Sequence, residues 1–414
     1  MMTACYGAPP MSVDQESTED ALRITCTGLD RPGITAELST ILADAGATLL
    51  DVQQVVVEAH LHLHLLVSLP GGEAATRPVL KEALWRAREL GLNLDFDFAP
   101  KRDERSTTIP TWALTVLANP ITTELLATIA RTTQQTGFNI ERIQRLSHHT
   151  LSSVEFLLSG PPGEAERALR TGLVSLRARF RCDLALQREK LTRRNKRLIV
   201  MDMDSTLIQQ EVIDELAVSL GVQEQVSAIT QRAMNGELDF DESLRERVRL
   251  LKGTPKSALT DVLARIELTP GAEQLVRVLK RLGYRTAVIS GGFIEVVEPN
   301  QKRLGLDYAF ANTLEIENGV LTGEVLGTII NRQRKAELLE SIARTERIEL
   351  DQVIAVGDGA NDLDMLHRAG LGIAFNAKRT VQEQAAAAIN QQSLLCILYL
   401  LGMRDVDTSA IEDT

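Results

Sequence analysis

From Arg197 onward four short apolar runs, RLIVM, YRTAVIS, QVIAVGD and GLGIAF, alternate with amphipathic stretches such as GAEQLVRVLKRLG and RKAELLESIARTE. Apolar runs of this kind need cover on both faces, and the stretches between them can supply it. The pattern predicts a parallel sheet flanked by helices on both sides. Each of the first three runs ends in polar residues: Asp202 and Asp204, then Ser290-Gly291-Gly292, then Asp358-Gly359-Ala360-Asn361-Asp362. Ligands of open α/β sheets bind beyond the carboxyl ends of the strands, so these clusters are predicted to meet at one sheet edge.

Charge then narrows the chemistry. Two aspartates flanking a methionine mean little alone, because acidic residues at strand ends often simply face water. With Asp358 and Asp362 at the same edge, however, three or four carboxylates share one mouth, and like charges that close cannot all stay ionised without compensation. A hard divalent cation with oxygen ligands, most simply Mg²⁺, supplies it. Ser290 and Lys335, the latter at the start of a helix in NRQRKAELLE, are expected at the same edge. A hydroxyl, an ammonium, glycine-flanked amides and a cation together complement a phosphoryl group. The interval between the first two runs far exceeds what a crossover requires. Its middle reads as several helices, so residues 211 to 268 are predicted to form an inserted cap that shields the edge from water.

The first half has a different grammar. From Ala21, ALRITCTGLDRPGITAELSTILADAGATLLDVQQVVV predicts a strand, a turn with Asp30, Pro32 and Gly33, a helix to about Ala45 and a second strand. HLHLHLLVSL and a helix over Arg77 to Leu90 complete a β-α-β-β-α unit. The order then repeats, with Ile121-Thr122 standing where the first copy has Ile34-Thr35. The predicted layout is a disordered tail over 1–20, two small α+β modules over 21–100 and 108–188, and the sheet domain with its cap over 197–400. His60, His62 and His64 alternate along one strand face; adjacent rings there stand roughly 7 Å apart, awkward for one ion, so that face is taken as solvated or subunit-facing.

With 414 residues the chain exceeds what one core usually serves, in keeping with several domains. A net charge of -11 argues against a broad nucleic-acid footprint and favours small-molecule partners. Cys5, Cys26, Cys182 and Cys396 show no CxxC pair or regular spacing, which predicts free thiols and a cytoplasmic setting. No apolar run is long enough to span a bilayer, SLLCILYLLGM at 393–403 included. The first twenty residues lack the basic start and apolar core of a signal peptide.

Taken in order, DMDST, SGG, Lys335 and GDGANDLDM resemble the four motifs of the haloacid dehalogenase superfamily. Glu211 followed by MNGELDFDESLRERVRLLKG adds a narrower resemblance, to the phosphoserine phosphatase family, and GLDRPGIT is similar to the ligand loop of ACT domains. These resemblances imply a Rossmann-like core with a helical cap behind two ferredoxin-like ACT modules. They also imply Mg²⁺-dependent hydrolysis of O-phospho-L-serine, the last step of serine biosynthesis. In the roles so implied, Asp202 is the nucleophile and Asp204 the general acid and base. Mg²⁺ is held by Asp202, the Asp204 carbonyl and Asp358. Ser290, Lys335 and the Gly291 amide hold the phosphoryl oxygens, and Asp362 orients Lys335 or a metal-bound water. Glu211 faces the substrate ammonium and Arg247 its carboxylate; Met234 and Phe240 form the apolar wall, and Asn361 reaches in from the sheet. The ACT resemblance implies L-serine as a regulator at Asp30 and Gly33, and a homodimer. LANPIT in the second module has neither the aspartate nor the glycine, so the resemblance does not carry a ligand site to that module, for which the plain alternative is packing or dimerisation. The alternatives are a phosphatase for another small phosphorylated metabolite and a serine sensor with a degenerate phosphatase unit.

Overall fold

The computed structural model describes residues 21–99, 109–147, 152–234 and 237–407, and the tail predicted over 1–20 lies outside them. The chain divides into two compact units, residues 1–108 and 109–414.

In the first unit β1 (Ala21–Leu29), β2 (Thr48–Val57), β3 (His60–Ser68) and β4 (Asn93–Ala99) form an antiparallel sheet in the order β2-β3-β1-β4. Alternation along β3 sends Leu61, Leu63 and Leu65 into the core beneath helices Ile34–Asp44 and Gly72–Glu89. It leaves His60, His62 and His64 exposed on the other face, where Thr25 Oγ1 lies 3.1 Å from His64 Nδ1. Two details differ from expectation. The second helix starts at Gly72 rather than Arg77 and continues through Pro78, and the unit closes with a fourth strand, β4.

The second unit opens with the same ferredoxin-like order: β5 (Thr111–Leu117), β6 (Asn139–Arg145), β7 (Ser153–Ser159) and β8 (Asp183–Arg188), arranged β6-β7-β5-β8. Its helices Thr123–Gln135 and Glu164–Phe180 cover one sheet face. The first helix begins differently in the two modules. Gly33, in the left-handed region at φ 99°, precedes Ile34, whereas Thr122 is itself the N-cap, accepting from Leu125 N at 3.2 Å. The glycine-led loop of the first module is therefore not reproduced in the second.

After a short helix, Leu191–Arg194, come β9 (Leu198–Met201), β10 (Arg285–Phe293), β11 (Tyr308–Glu317), β12 (Val320–Leu326), β13 (Val353–Gly357), β14 (Leu371–Phe375) and β15 (Ala387–Ile389). Their order is β12-β11-β10-β9-β13-β14-β15, parallel except for the β11–β12 hairpin. The four apolar runs are β9, β10, β13 and β14. Both faces of β9 are buried, with Ile199 and Met201 in one core and Leu198 and Val200 in the other. The β11–β12 hairpin adds an antiparallel pair beyond the four apolar runs; Asn318 and Gly319, both at positive φ, form its turn. Between β9 and β10 lie the cap helices Val212–Leu220, Gln223–Met234, Phe240–Arg249 and Ser257–Leu263.

Candidate active site

Registry brings the distant acidic clusters together. Met201 on β9 pairs with Val356 on β13, and Asp202 N donates to Val356 O at 2.9 Å, so Asp202 leaves the sheet beside the point where Asp358 does. The chain then makes one wide turn over Met203–Leu207, broken at Asp204 and Ser205. Ser205 sits at φ 54°, a conformation unfavourable for a residue with a Cβ. Its Oγ donates to Glu211 Oε1 at 2.8 Å, and Asp204 Oδ1 accepts from Val212 N at 2.9 Å, so the turn is tied to the start of the cap.

Lys335, in the first turn of helix Arg332–Thr345, is wholly buried. A buried ammonium persists only when paired, and Nζ lies 2.8 Å from Asp202 Oδ2 and 2.7 Å from Asp362 Oδ1. Burial alone would lower its pKa; the two carboxylates outweigh that and the net shift is upward. Asp202, Asp358 and Asp362 each offer an oxygen within 4.8 Å of the others. Burial first, and Asp362 next, push Asp202 well above the usual carboxylate range against the opposing pull of Lys335. The same two causes raise Asp358 to about 7. Asp204 is also raised, by burial, against hydrogen bonds from Val212 N and Ser290 Oγ.

β10 supplies the third cluster. Ser290 is buried; its Oγ donates to Asp204 Oδ2 at 3.1 Å and accepts from Gly292 N at 2.8 Å. At the two following glycines a Cβ would displace site side chains: on Gly291 it would stand 2.9 Å from Phe240 Cζ, and on Gly292 2.7 Å from Asp204 Oδ2. Across this mouth the cap presents Glu211 and Arg247. Glu211 keeps an exposed edge at the mouth, yet its carboxyl is raised to about 7, by desolvation first and then by the charge of Asp204. Arg247 is lowered by burial, opposed by the charges of Asp214, Glu211 and Asp204, and its Nε donates to Ser243 O at 3.3 Å. Asn361 lies over Gly359, and the Met234 side chain falls outside the described residues. Asp30 and Gly33 stand together in the first unit, in the loop before Ile34, where Asp30 N donates to Ala59 O at 2.8 Å.

Three polar residues that sequence reasoning passed over help to build the site. Ser205 holds Glu211, as just described. Asn312, 2% exposed on β11, donates from Nδ2 to Gly291 O and accepts at Oδ1 from Ile330 N, both at 2.8 Å. Asn331 caps the Lys335 helix, accepting from Arg334 N at 3.1 Å, and donates to Asp241 Oδ1 at 3.1 Å. A lone asparagine inside a strand and another just before a helix were the available signals.

A parallel sheet with acidic clusters, a buried lysine and a serine-glycine loop at one edge defines a haloacid dehalogenase-like hydrolase, and residues 199–367 match that family. Residues 20–97 and 110–187 each match ACT domains. Along nearly the whole chain there are close relatives. A phosphoserine phosphatase of Streptomyces coelicolor is 44% identical, with 97% of each chain covered. Phosphoserine phosphatase SerB2 of Mycobacterium tuberculosis is 43% identical, with 92% of each covered. Among solved structures, a haloacid dehalogenase family hydrolase of Salmonella enterica serovar Typhi superposes with a TM-score of 0.60 at 33% identity, covering 70% of this chain and 98% of its own. The chain belongs to the phosphoserine phosphatase family of haloacid dehalogenase-like hydrolases and carries two N-terminal ACT domains. No described helix is long and apolar enough to cross a membrane.

Proposed function

We propose that the chain hydrolyses O-phospho-L-serine to L-serine and phosphate through an aspartyl-phosphate on Asp202, the last step of serine biosynthesis. The observation that carries this reading is the buried Asp202–Lys335–Asp362 triad beside Asp358, with Ser290 and Asp204 hydrogen-bonded at the same edge. Asp202 attacks phosphorus while Lys335, Ser290 and the Gly291 amide hold the phosphoryl oxygens. Asp204, whose raised pKa favours the protonated form, gives its proton to the departing serine oxygen and later takes one from the attacking water. Asp362 accepts from Lys335 with Oδ1 and from Gly359 N at 3.0 Å with Oδ2, which suits it to orient the lysine.

The donor set fits a hard divalent cation, since three carboxylates crowd within 4.8 Å and at least two are pushed toward protonation. Asp202, Asp358 and the Asp204 carbonyl would hold Mg²⁺, which when bound neutralises charge on the carboxylates and the phosphoryl oxygens. Glu211 accepts the substrate ammonium, and the planar fork of Arg247 takes its carboxylate. Phe240 closes the apolar wall, and Asn361 contacts the substrate from the sheet side.

Regulation is assigned to the first ACT domain, where L-serine binds at Asp30 and Gly33 in a homodimer; a cytoplasmic setting accords with the free Cys26, Cys182 and Cys396. The deciding experiment is phosphate release from a panel of phosphorylated metabolites with Mg²⁺, with and without free serine. Phosphoserine should be preferred and Asp202→Asn should be inactive; equal rates across the panel would overturn the substrate assignment.

A further inference from the structure

We propose that Asn331 is a positioning residue that clasps the cap to the sheet edge through Asp241, and that this clasp governs how firmly the substrate is held; the inference rests on the phosphatase reading above. The orientation of the Asn331 amide is settled by its partners. Oδ1 must accept from Arg334 N at 3.1 Å, so Nδ2 faces outward and donates to Asp241 Oδ1, also at 3.1 Å. The main-chain oxygen of Asn331 accepts from Lys335 N at 2.9 Å, so the residue that grips the cap also begins the turn that carries the buried lysine.

Asp241 is not needed to start its own helix. Phe240–Arg249 is already closed by a capping box, in which Asp239 Oδ1 accepts from Glu242 N at 2.8 Å and Glu242 Oε2 from Asp239 N at 3.1 Å. The Asp241 carboxylate is left to act across elements. Its neighbour Phe240 rests on Gly291, and Asn312 ties Gly291 O to Ile330 N directly before Asn331. Two side-chain amides thereby join the start of the helix bearing Arg247, the serine-glycine loop and the helix bearing Lys335. On the phosphatase reading, the cap parts from the sheet to admit phosphoserine and release serine. One half-buried, charge-assisted hydrogen bond biases that equilibrium towards closure without locking it.

The experiment uses the full chain with four variants: Asn331→Ser, Asn331→Asp, Asp241→Ala, and the exchange Asp241→Asn with Asn331→Asp. Serine and aspartate both preserve the helix cap; serine is too short to reach Asp241, and aspartate sets two carboxylates face to face. The exchanged pair restores the bond with donor and acceptor reversed. Each single change should raise KM for phosphoserine about tenfold, Asn331→Asp most, with kcat altered less than about threefold, and the exchange should return KM to within about threefold of the parent. Backbone amide exchange over residues 239–249 should quicken in the single variants and return to the parent rate in the exchanged pair. That measurement needs no substrate, so it stays decisive even if phosphoserine proves to be the wrong one. An exchanged pair as impaired as Asn331→Asp in both readouts, or unchanged amide exchange in the single variants, overturns the clasp.

Discussion

Lys335 Nζ stands 2.8 Å from Asp202 Oδ2 in a place where the lysine is 0% and the aspartate 4% exposed. Replacing Lys335 by methionine leaves Asp202 and Asp362 buried without their cation. Breaking a buried pair in this way costs about 3 to 5 kcal/mol, and turnover should be lost with it. Chemical denaturation together with phosphate release checks both effects. A Lys335→Met protein as stable as the parent would mean that water already screens the two carboxylates.

The carboxylate cluster makes stability depend on pH in a direction that can be worked out. Asp202 is raised well above its ordinary value and Asp358 to about 7, so the folded state binds protons more tightly than the unfolded chain at these sites. Their contribution is complete below the unfolded value, about 4, and is lost as pH climbs to about 7 and beyond. Without divalent ions, melting of the parent should fall between pH 5 and 8 relative to Asp358→Asn, which lacks the titrating group. Mg²⁺ binds the ionised form and should raise the melting temperature more at pH 8 than at pH 5.5. An equal rise at both values would count against the cluster as the metal site.

Arg247 tests recognition rather than chemistry. Arg247→Lys keeps the charge but loses the planar fork, and Arg247→Ala leaves a substrate carboxylate facing Glu211 and Asp214, the charges that surround the arginine. The alanine variant should lose about 2 to 5 kcal/mol of binding, read as a raised KM, and the lysine variant less. If kcat falls while KM holds, Arg247 acts on the phosphoryl transfer instead.

Gly33 tests the assigned regulatory site. It holds φ 99° with its oxygen accepting from Glu37 N at 3.0 Å, so a β-branched residue there distorts the loop at the helix start. The effect of free serine on phosphate release should vanish in Gly33→Val and weaken in Asp30→Ala. An undiminished response in both would place serine elsewhere.

What the sequence disclosed followed from periodicity and charge. Continuous apolar runs named β9, β10, β13 and β14, and polar residues at the ends of the first three named the edge where Asp202, Ser290 and Asp358 meet. The residues that hold these groups in place were harder to see. Asn312 works through hydrogen bonds to backbone atoms 18 and 21 positions away, and Asn331, beyond its legible cap on Arg334 N, reaches a cap residue 90 positions away; neither spacing nor composition encodes such long pairings. Ser205 was hidden differently. It lies inside the DMDST motif, but its value depends on a left-handed backbone conformation that is unusual for serine. The β11–β12 hairpin has a legible Asn318-Gly319 turn, but its strands mix polar and apolar residues and lack the continuous apolar run that marks β9, β10, β13 and β14.

The second ACT domain offers a prediction about folding. Its uncovered sheet face is spent on the phosphatase core: Leu117 and Ala185 belong to the same apolar core as Ile199 and Met201. Gln187 Nε2 donates to Leu400 O at 2.8 Å, and Asp183 accepts from Asn390 N at 2.8 Å, Asn390 Nδ2 at 2.7 Å and Gln391 Nε2 at 3.2 Å. Close by, Arg193 is paired with both Glu155 on β7 and Glu189. Contacts of this kind couple the unfolding of the two domains. Asp183→Ala strands the Asn390 amide groups and should cost about 1 to 3 kcal/mol. The loss should appear as faster amide exchange in β8 and in β15 alike, because the two elements share one cooperative unit. Faster exchange confined to β8, with β15 unchanged, would show instead that the second ACT domain opens independently of the catalytic sheet.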